Sequence, residues 1–395
     1  MIYLHVPFCH RKCTYCAFHS KPVVGGRWPV ASYVDALLAE MELRRGEQPH
    51  AVRTVYFGGG TPSMLTLNEL GRIVEALHRC FDLSQLEEFT FEANPEDLTP
   101  DYLAGLRLLG INRLSVGIQS LDDTMLRLLN RRHTARQALD ALENARRAGF
   151  DNLSADFIYG LPRWNFQFSV FNFQLITHLS AYALTVEPGT ALDVQVRQGR
   201  AALPDDEEVV RQYHALRQQF EWAGFRQYEV SNYARPGFES VHNSRYWDRT
   251  PYLGLGPGAH SFDGRRRRWN LPDNQLYIST LTSSTSLTSL SGSPSPYFEE
   301  ETISPADAFN ELLMTSLRTV RGLSLFAVPQ EYRAVLHKKL QPYVACGWLT
   351  QAPKIQNSEI KIQNSELGNQ NSELLFRPTP EGLLHADGMA TSLFV

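Results

Sequence analysis

From residue 2 to about 230 the chain alternates short apolar, β-like runs with amphipathic, helix-like runs, and this restricts its fold more than any other feature. Ile2–Val6 reads as a strand, followed by a cysteine-bearing loop and a helix over Ala31–Arg45. Thr54–Phe57 reads as a second strand running into Gly58-Gly59-Gly60-Thr61-Pro62. Thr66-Leu67-Asn68-Glu69 then forms a capping box, which satisfies two exposed backbone donors at a helix start. Glu88–Ala93 and Arg113–Ile118 read as strands, each with a helix after it; Pro100 suits the first turn of one, and Gly149 stops the other. Leu153–Tyr159, Leu179–Thr185 and Gln227–Val230 complete the strands, with a long helix over Asp206–Ala223.

Repeated β-then-α units predict parallel strands with crossover helices outside them. An open doubly wound sheet and a (β/α) barrel both satisfy that pattern. The polar residues favour the barrel. The cysteine loop, GGGTP, Glu92, Gln119, Asp156 and Glu187-Pro188-Gly189-Thr190 all fall at or near the C-terminal ends of different strands, where a barrel gathers its site. Six units predict an α/β fold with a partial (β/α)6 barrel over residues 1–230.

Residues 231–300 change character, being aromatic and glycine-rich, with Gly254-Leu-Gly-Pro-Gly-Ala-His260 and then a Ser/Thr-rich insert over 279–296. Order is expected again at Ser304-Pro305, which caps a helix reaching about Arg318, with a second helix over Gln330–Ala345. Ile355-Gln-Asn-Ser-Glu359 recurs at 362–366, and a partial copy ends at Glu373. Between β-like flanks this 354–373 repeat reads as an enlarged hairpin tip. A last helix opens at Thr379-Pro380. Residues 301–395 are thus expected to form a small, mainly helical, winged-helix-like domain. Neither its second helix nor the repeat is strongly basic, so it reads as a cap without a nucleic-acid role.

Composition narrows the class. The 395 residues carry 38 basic and 42 acidic side chains, a net charge of −4 that is unsuited to gripping nucleic acid. Hydrophobic residues make up 43%, enough for a buried core, and no apolar run is long enough for a membrane helix. The N-terminus has no secretory pattern, so a cytoplasmic protein is expected. Three of the five cysteines, Cys9, Cys13 and Cys16, fall in one short loop. That is a metal pattern rather than a disulfide framework.

The spacing admits two metals. Zinc wants four ligands, with His10 or His19 as the fourth. A [4Fe–4S] cluster normally takes four cysteines, so three leave one iron open to an outside chelator. The glycine turn weighs toward the second. Its bare backbone can approach a ligand closely and hold a small zwitterion.

Cys9-x3-Cys13-x2-Cys16 followed by GGGTP resembles the radical S-adenosylmethionine (SAM) superfamily. The resemblance is closer still to the oxygen-independent coproporphyrinogen III oxidase family and its haem-chaperone branch. It is carried by Tyr3-Leu-His-Val-Pro-Phe-Cys9, Tyr56-Phe-Gly-Gly-Gly-Thr-Pro-Ser63, Phe91-Glu-Ala-Asn-Pro95, Ser115-Val-Gly-Ile-Gln-Ser120, Asn130-Arg-Arg-His133 and Asp156-Phe-Ile-Tyr-Gly-Leu-Pro162, in family order. The last third of the chain matches more loosely. The resemblance implies that Cys9, Cys13 and Cys16 ligate a [4Fe–4S] cluster, that Tyr3 and Tyr15 lie beside it, and that Gly59, Gly60 and Thr61 hold the methionine end of SAM. It implies that Glu92, Gln119, Arg131 and Asp156 line the rest of the SAM pocket. Carboxylates suit the ribose hydroxyls and amino group, and arginine suits a carboxylate.

Two functions follow from the family. One is oxidative decarboxylation of coproporphyrinogen III to protoporphyrinogen IX. The other is haem carriage without decarboxylation, with haem as cargo and recipient haemoproteins, membrane-associated ones included, as partners; a homodimer is compatible with it. Three features favour the carrier. Phe18 stands where the oxidases have a further cysteine. Cys9 lies close to the first residue, whereas the oxidases carry an extension before the cluster. And His242-Asn-Ser-Arg-Tyr-Trp247 matches the HNxxYW motif of the chaperone branch, whose histidine is associated with haem. Arg265–Arg268 reads as a solvated turn. The stretch between Pro162 and His178 is short for the family and rich in Phe and Gln.

Overall fold

The computed structural model describes residues 1–23, 30–48, 50–162, 171–283, 297–353 and 374–395. They form two compact units: residues 1–226, 231–242 and 251–302 make the first, and residues 227–230, 243–250 and 303–395 the second.

The first unit is built on strands β1 (Ile2–Val6), β2 (Thr54–Gly59), β3 (Glu88–Ala93), β4 (Arg113–Gln119), β5 (Asn152–Tyr159) and β6 (His178–Ala183), each paired in parallel with the next. Sequence order and spatial order coincide from β1 to β6. A doubly wound sheet reverses its order at a switch point, and this one does not, so the barrel alternative holds. Further strands flank the series: β7 (Asn232–Ala234) runs antiparallel to β6, and β8 (Leu253–Leu255) runs parallel to β1. They are not paired with each other in the sheet order, so the barrel is partial.

Crossover helices follow the expected pattern. They include α1 (Val30–Arg44), α2 (Leu67–Cys80), α3 (Pro100–Leu108), α4 (Asp123–Leu128), α5 (Ala135–Arg147), α6 (Ala191–Arg197) and α7 (Asp206–Trp222). In α2 the Thr66/Glu69 capping box forms, and Leu70, Ile73, Val74 and Leu77 make one buried stripe. Each such side chain contributes about 1.5–3 kcal/mol when fully buried.

Residues 231–300, expected to be irregular, are largely ordered into the first unit. Besides β7 and β8 they carry α8 (Val241–Trp247), α9 (Asn274–Thr282) and a small antiparallel sheet of β9 (His260–Phe262), β10 (Arg266–Asn270) and β11 (Phe298–Thr302). Arg265 lies in the turn at Asp263, but Arg266, Arg267 and Arg268 belong to a strand. Glu301 lies 3.7 Å from Arg267, and the Arg268 guanidinium sits 3.6 Å above the Phe298 ring. The acidic strand beside these cations decided their conformation, and nothing local to residues 265–268 announced it. The Ser/Thr-rich residues 284–296, the Phe/Gln-rich residues 163–170 and the 354–373 repeat lie outside the described residues.

The second unit contains α10 (Pro305–Leu317), α11 (Gln330–Ala345), α12 (Pro380–Leu384), α13 (Ala386–Ser392) and an antiparallel sheet of β12 (Leu323–Ser324), β13 (Leu349–Pro353) and β14 (Leu374–Pro378). Phe309, Leu313, Leu317, Leu336, Leu340 and Phe376 form its core. Helices packed on a three-stranded sheet give the mainly helical, winged-helix-like architecture expected of this region.

Candidate functional site

The glycine turn closes directly onto the cysteine loop. The Gly60 N–H donates to the Val6 carbonyl at 2.8 Å, and Thr61 Oγ1 donates to Cys9 Sγ at 3.4 Å. Only bare backbone fits here. A Cβ on Gly60 would stand 2.5 Å from the Phe8 carbonyl oxygen, and one on Gly59, whose φ is +107°, would stand 2.7 Å from the His5 ring. On the far side of the loop, Arg131 Nη1 donates to Cys13 Sγ at 3.4 Å. Burial pushes the Cys9 and Cys16 thiols up, and the neighbouring Cys13 adds in the same direction. A bound metal reverses that preference by stabilising thiolate. Among the described residues no group of three or more His, Cys, Asp or Glu is arranged to hold one metal ion. Cys16 lies within electrostatic reach of both Cys13 and Cys9, and three thiols from one loop, one short of a full set, fit a [4Fe–4S] cluster with one iron left without a protein ligand.

Below this loop the lumen is lined from β2 to β5. Tyr56 OH donates to Glu92 Oε1 at 2.7 Å, and Ser115 and Ser154 hydroxyls donate to the two oxygens of Asp156 at 2.8 and 2.9 Å. Burial raises Glu92 to about 7; the Tyr56 hydrogen bond opposes the shift and the Asp156 charge adds to it. Asp156 is also raised by burial, despite its serine donors. Two carboxyl groups whose charged forms burial disfavours share one lumen, and a cationic, hydroxyl-bearing ligand suits them.

Gln119 and Arg131 adjoin the same opening. The β4 ladder slips register between Gly117 and Gln119, and Gln119 takes a φ of +66°. A Cβ on Gly117 would lie 2.9 Å from the Gln119 amide nitrogen and 3.2 Å from Arg131 Nη2. Arg131 Nη2 also donates to Asn94 Oδ1 at 2.6 Å and to the Gly117 carbonyl at 2.7 Å. Its buried Nε has no acceptor among the described residues. That is the kind of unused donor that fits an incoming carboxylate or hydroxyl.

Tyr3 donates to His5 Nδ1 at 3.1 Å, and its ring lies beside the place a Gly58 side chain would occupy, as does the Glu92 carboxyl. Tyr15 packs against the apolar cluster of Met125, Leu129, Ile158 and Leu161. The structure thus brings Tyr3, Tyr15, Gly59, Gly60, Thr61, Glu92, Gln119, Arg131 and Asp156 to the mouth and lumen of one barrel. Sequence reading passed over His5 and Asn94. Burial lowers His5 to about 4, so it is neutral, and its ring blocks any side chain at position 59. The signal for His5 was its two-residue spacing from Tyr3, which puts both on the same strand face.

His242 is enclosed in this structure. It is expected from its motif to meet haem, but it is 0% exposed at the start of α8. Its Nδ1 lies 2.9 Å from Thr54 Oγ1, its ring centroid is 5.0 Å from that of Tyr56, and its backbone N–H donates to Glu88. Thr54 and Glu88 begin their strands, so His242 sits at the N-terminal end of the barrel, opposite the cysteine loop. In this conformation its side chain is buried in the core.

The model of the radical SAM superfamily matches residues 3–168. A protein named haem chaperone HemW from Mycobacterium tuberculosis is 39% identical over 292 residues, covering 72% of this chain and 75% of that one. One of the same name from Bacillus subtilis is 32% identical and covers 84% and 86%. The fold matches coproporphyrinogen III oxidase (HemN) from Escherichia coli with a TM-score of 0.78, at 21% identity, over 100% of this chain and 89% of that one. Cysteine loop, glycine turn, parallel order and these likenesses agree: the chain belongs to the radical SAM superfamily and, within it, to the HemW proteins.

Proposed function

We propose that the protein binds haem, carries a SAM-liganded [4Fe–4S] cluster and passes haem to recipient haemoproteins, without decarboxylating a porphyrinogen. The observation that carries this reading is the likeness to proteins named haem chaperones, at 32–39% identity over most of their length, against 21% for the oxidase of the same fold. Phe18 supports it. Where the oxidases have a further cysteine, the cysteine loop here presents an aromatic side chain that is 71% exposed.

The chain's residues divide the work by position. Cys9, Cys13 and Cys16 hold the cluster, and the bare backbone of Gly59 and Gly60 with Thr61 holds the methionine end of SAM. Arg131 offers its unused Nε–H, while Glu92 and Asp156 accept from the amino group and ribose hydroxyls. Bound there together, such a cluster and SAM would supply one-electron chemistry. Haem binds as cargo.

The test uses anaerobically reconstituted protein. Haem titration is expected to give a saturable Soret band, and coproporphyrinogen III with SAM and reductant is expected to return unchanged. Stoichiometric protoporphyrinogen IX would transfer the chain to the oxidases. A Cys13→Ala variant is expected to lose the four-iron absorbance and to take up no zinc.

A further inference from the structure

We propose that His133, backed by Glu96, is a positioning residue that clamps the Gln119 corner and so sets where Gln119 and Arg131 stand. The inference rests on the reading that these two residues line the SAM pocket. Its geometric part is independent of that reading.

The corner is unusual. Gln119 has a φ of +66°, and the Ser120 N–H donates to the Ile118 carbonyl at 2.8 Å, closing a tight turn around it. Turns of that span with positive φ at the centre are rare and strained, and a non-glycine residue stays in one only when its surroundings hold it. The same Ile118 carbonyl accepts a second hydrogen bond, from His133 Nε2 at 3.0 Å. The imidazole is buried, with no exposed side-chain surface, and its Nδ1 lies 3.2 Å from Glu96 Oε2. Nε2 thus donates to Ile118, while Nδ1 stands in ion-pair range of Glu96 without an aligned hydrogen bond. Burial alone would raise Glu96, but the His133 contact and its own backbone hydrogen bond hold it below the usual carboxylate range, so it faces Nδ1 as an anion.

The chain path explains why this clamp reaches both residues. Glu96 follows Asn94, which accepts from Arg131, and Arg131 precedes His133 by two residues. Arg132 adds a link, with Nη1 3.5 Å from Glu96 and 3.6 Å from Asp97. One imidazole thus ties the end of β4, the turn after β3 and the loop before α5, three walls of the same opening. Asn130, with a φ of +59°, starts that loop and is a residue type that tolerates the left-handed region.

The experiment compares wild type with His133→Leu, His133→Gln and Glu96→Gln. In apo-protein, hydrogen exchange at the Ser120 amide reads the turn directly. In reconstituted protein, the SAM-induced change in the cluster's EPR spectrum reads affinity. His133→Leu is expected to speed Ser120 exchange and weaken SAM binding by about tenfold each, the effect of losing one buried hydrogen bond. His133→Gln places an amide N–H near the Nε2 position and is expected to restore both to within about threefold. Glu96→Gln, which keeps the chain if the Leu variant does not fold, is expected to move both readouts in the same direction. A folded Leu variant with lower thermal stability but wild-type Ser120 exchange and SAM affinity overturns the clamp. Wild type that fails to take up SAM overturns the pocket assignment instead, and the exchange measurement still decides the clamp.

Discussion

Gly60→Ala tests the contact on which the candidate site depends. An added Cβ would lie 2.5 Å from the Phe8 carbonyl oxygen and 2.9 Å from that of Val6, both backbone atoms that cannot rotate aside. Ordinary contact begins at 3.4 Å, so the gap must open from 2.5 to 3.4 Å, by 0.9 Å. The Phe8 carbonyl carbon is bonded to the Cys9 nitrogen, so the displacement carries the Cys9 thiol with it. It also strains the Gly60–Val6 hydrogen bond of 2.8 Å and the Thr61–Cys9 contact of 3.4 Å. Overpacking of this kind costs about 1–3 kcal/mol, and a weakened hydrogen bond adds about 1 kcal/mol. Urea unfolding of the apo-protein is expected to show that loss, and iron per chain after anaerobic reconstitution is expected to fall below wild type. Gly46→Ala is the control, because a Cβ there meets nothing within 4 Å, and it is expected to change neither quantity. Wild-type iron content and unfolding free energy in Gly60→Ala would refute the close approach of turn and loop.

Two more outcomes follow from buried groups. Glu92 is raised from its ordinary 4.5 to about 7, chiefly by burial, so the folded chain keeps a proton that the unfolded chain releases. Its favourable contribution is complete below pH 4.5 and lost as pH rises through 7. Glu92→Gln is therefore expected to stabilise apo-protein at pH 8 by up to about 2 kcal/mol, allowing for water in the lumen, with no gain near pH 4.5. Equal unfolding midpoints for variant and wild type at pH 8 would refute the assignment. His242→Ala removes a fully buried ring and leaves Thr54 short of a partner, and is expected to cost about 2–4 kcal/mol while the haem Soret band stays at its wild-type position. A shifted or lost band in folded variant protein would return His242 to the haem site.

Much of the candidate site was legible because its residues come in short blocks, each attached to the end of a strand. Thr61 and Cys9 meet because β1 and β2 are parallel neighbours whose loops emerge at the same end. Parallel pairing places the loops that follow each strand on one side of the sheet, so strands identified in the sequence already group those loops together. The burial of His242 was not legible for the opposite reason. Its motif lies in a segment with little local patterning, and its enclosure depends on Glu88 and Thr54, more than 150 residues earlier. The strand of arginines was missed in the same way, since its partner β11 lies beyond a long insert.

By itself the amino-acid order determined the alternation of strands and helices, the sulfur donors and the glycine turn, because each is a property of neighbouring residues with a short range of interaction. Only the tertiary structure decided that the parallel strands follow one another without reversal, that His242 is enclosed, and that His133 grips the Ile118 carbonyl. Those outcomes depend on which distant backbone and side-chain groups share a buried space, and burial is decided by the folded chain as a whole.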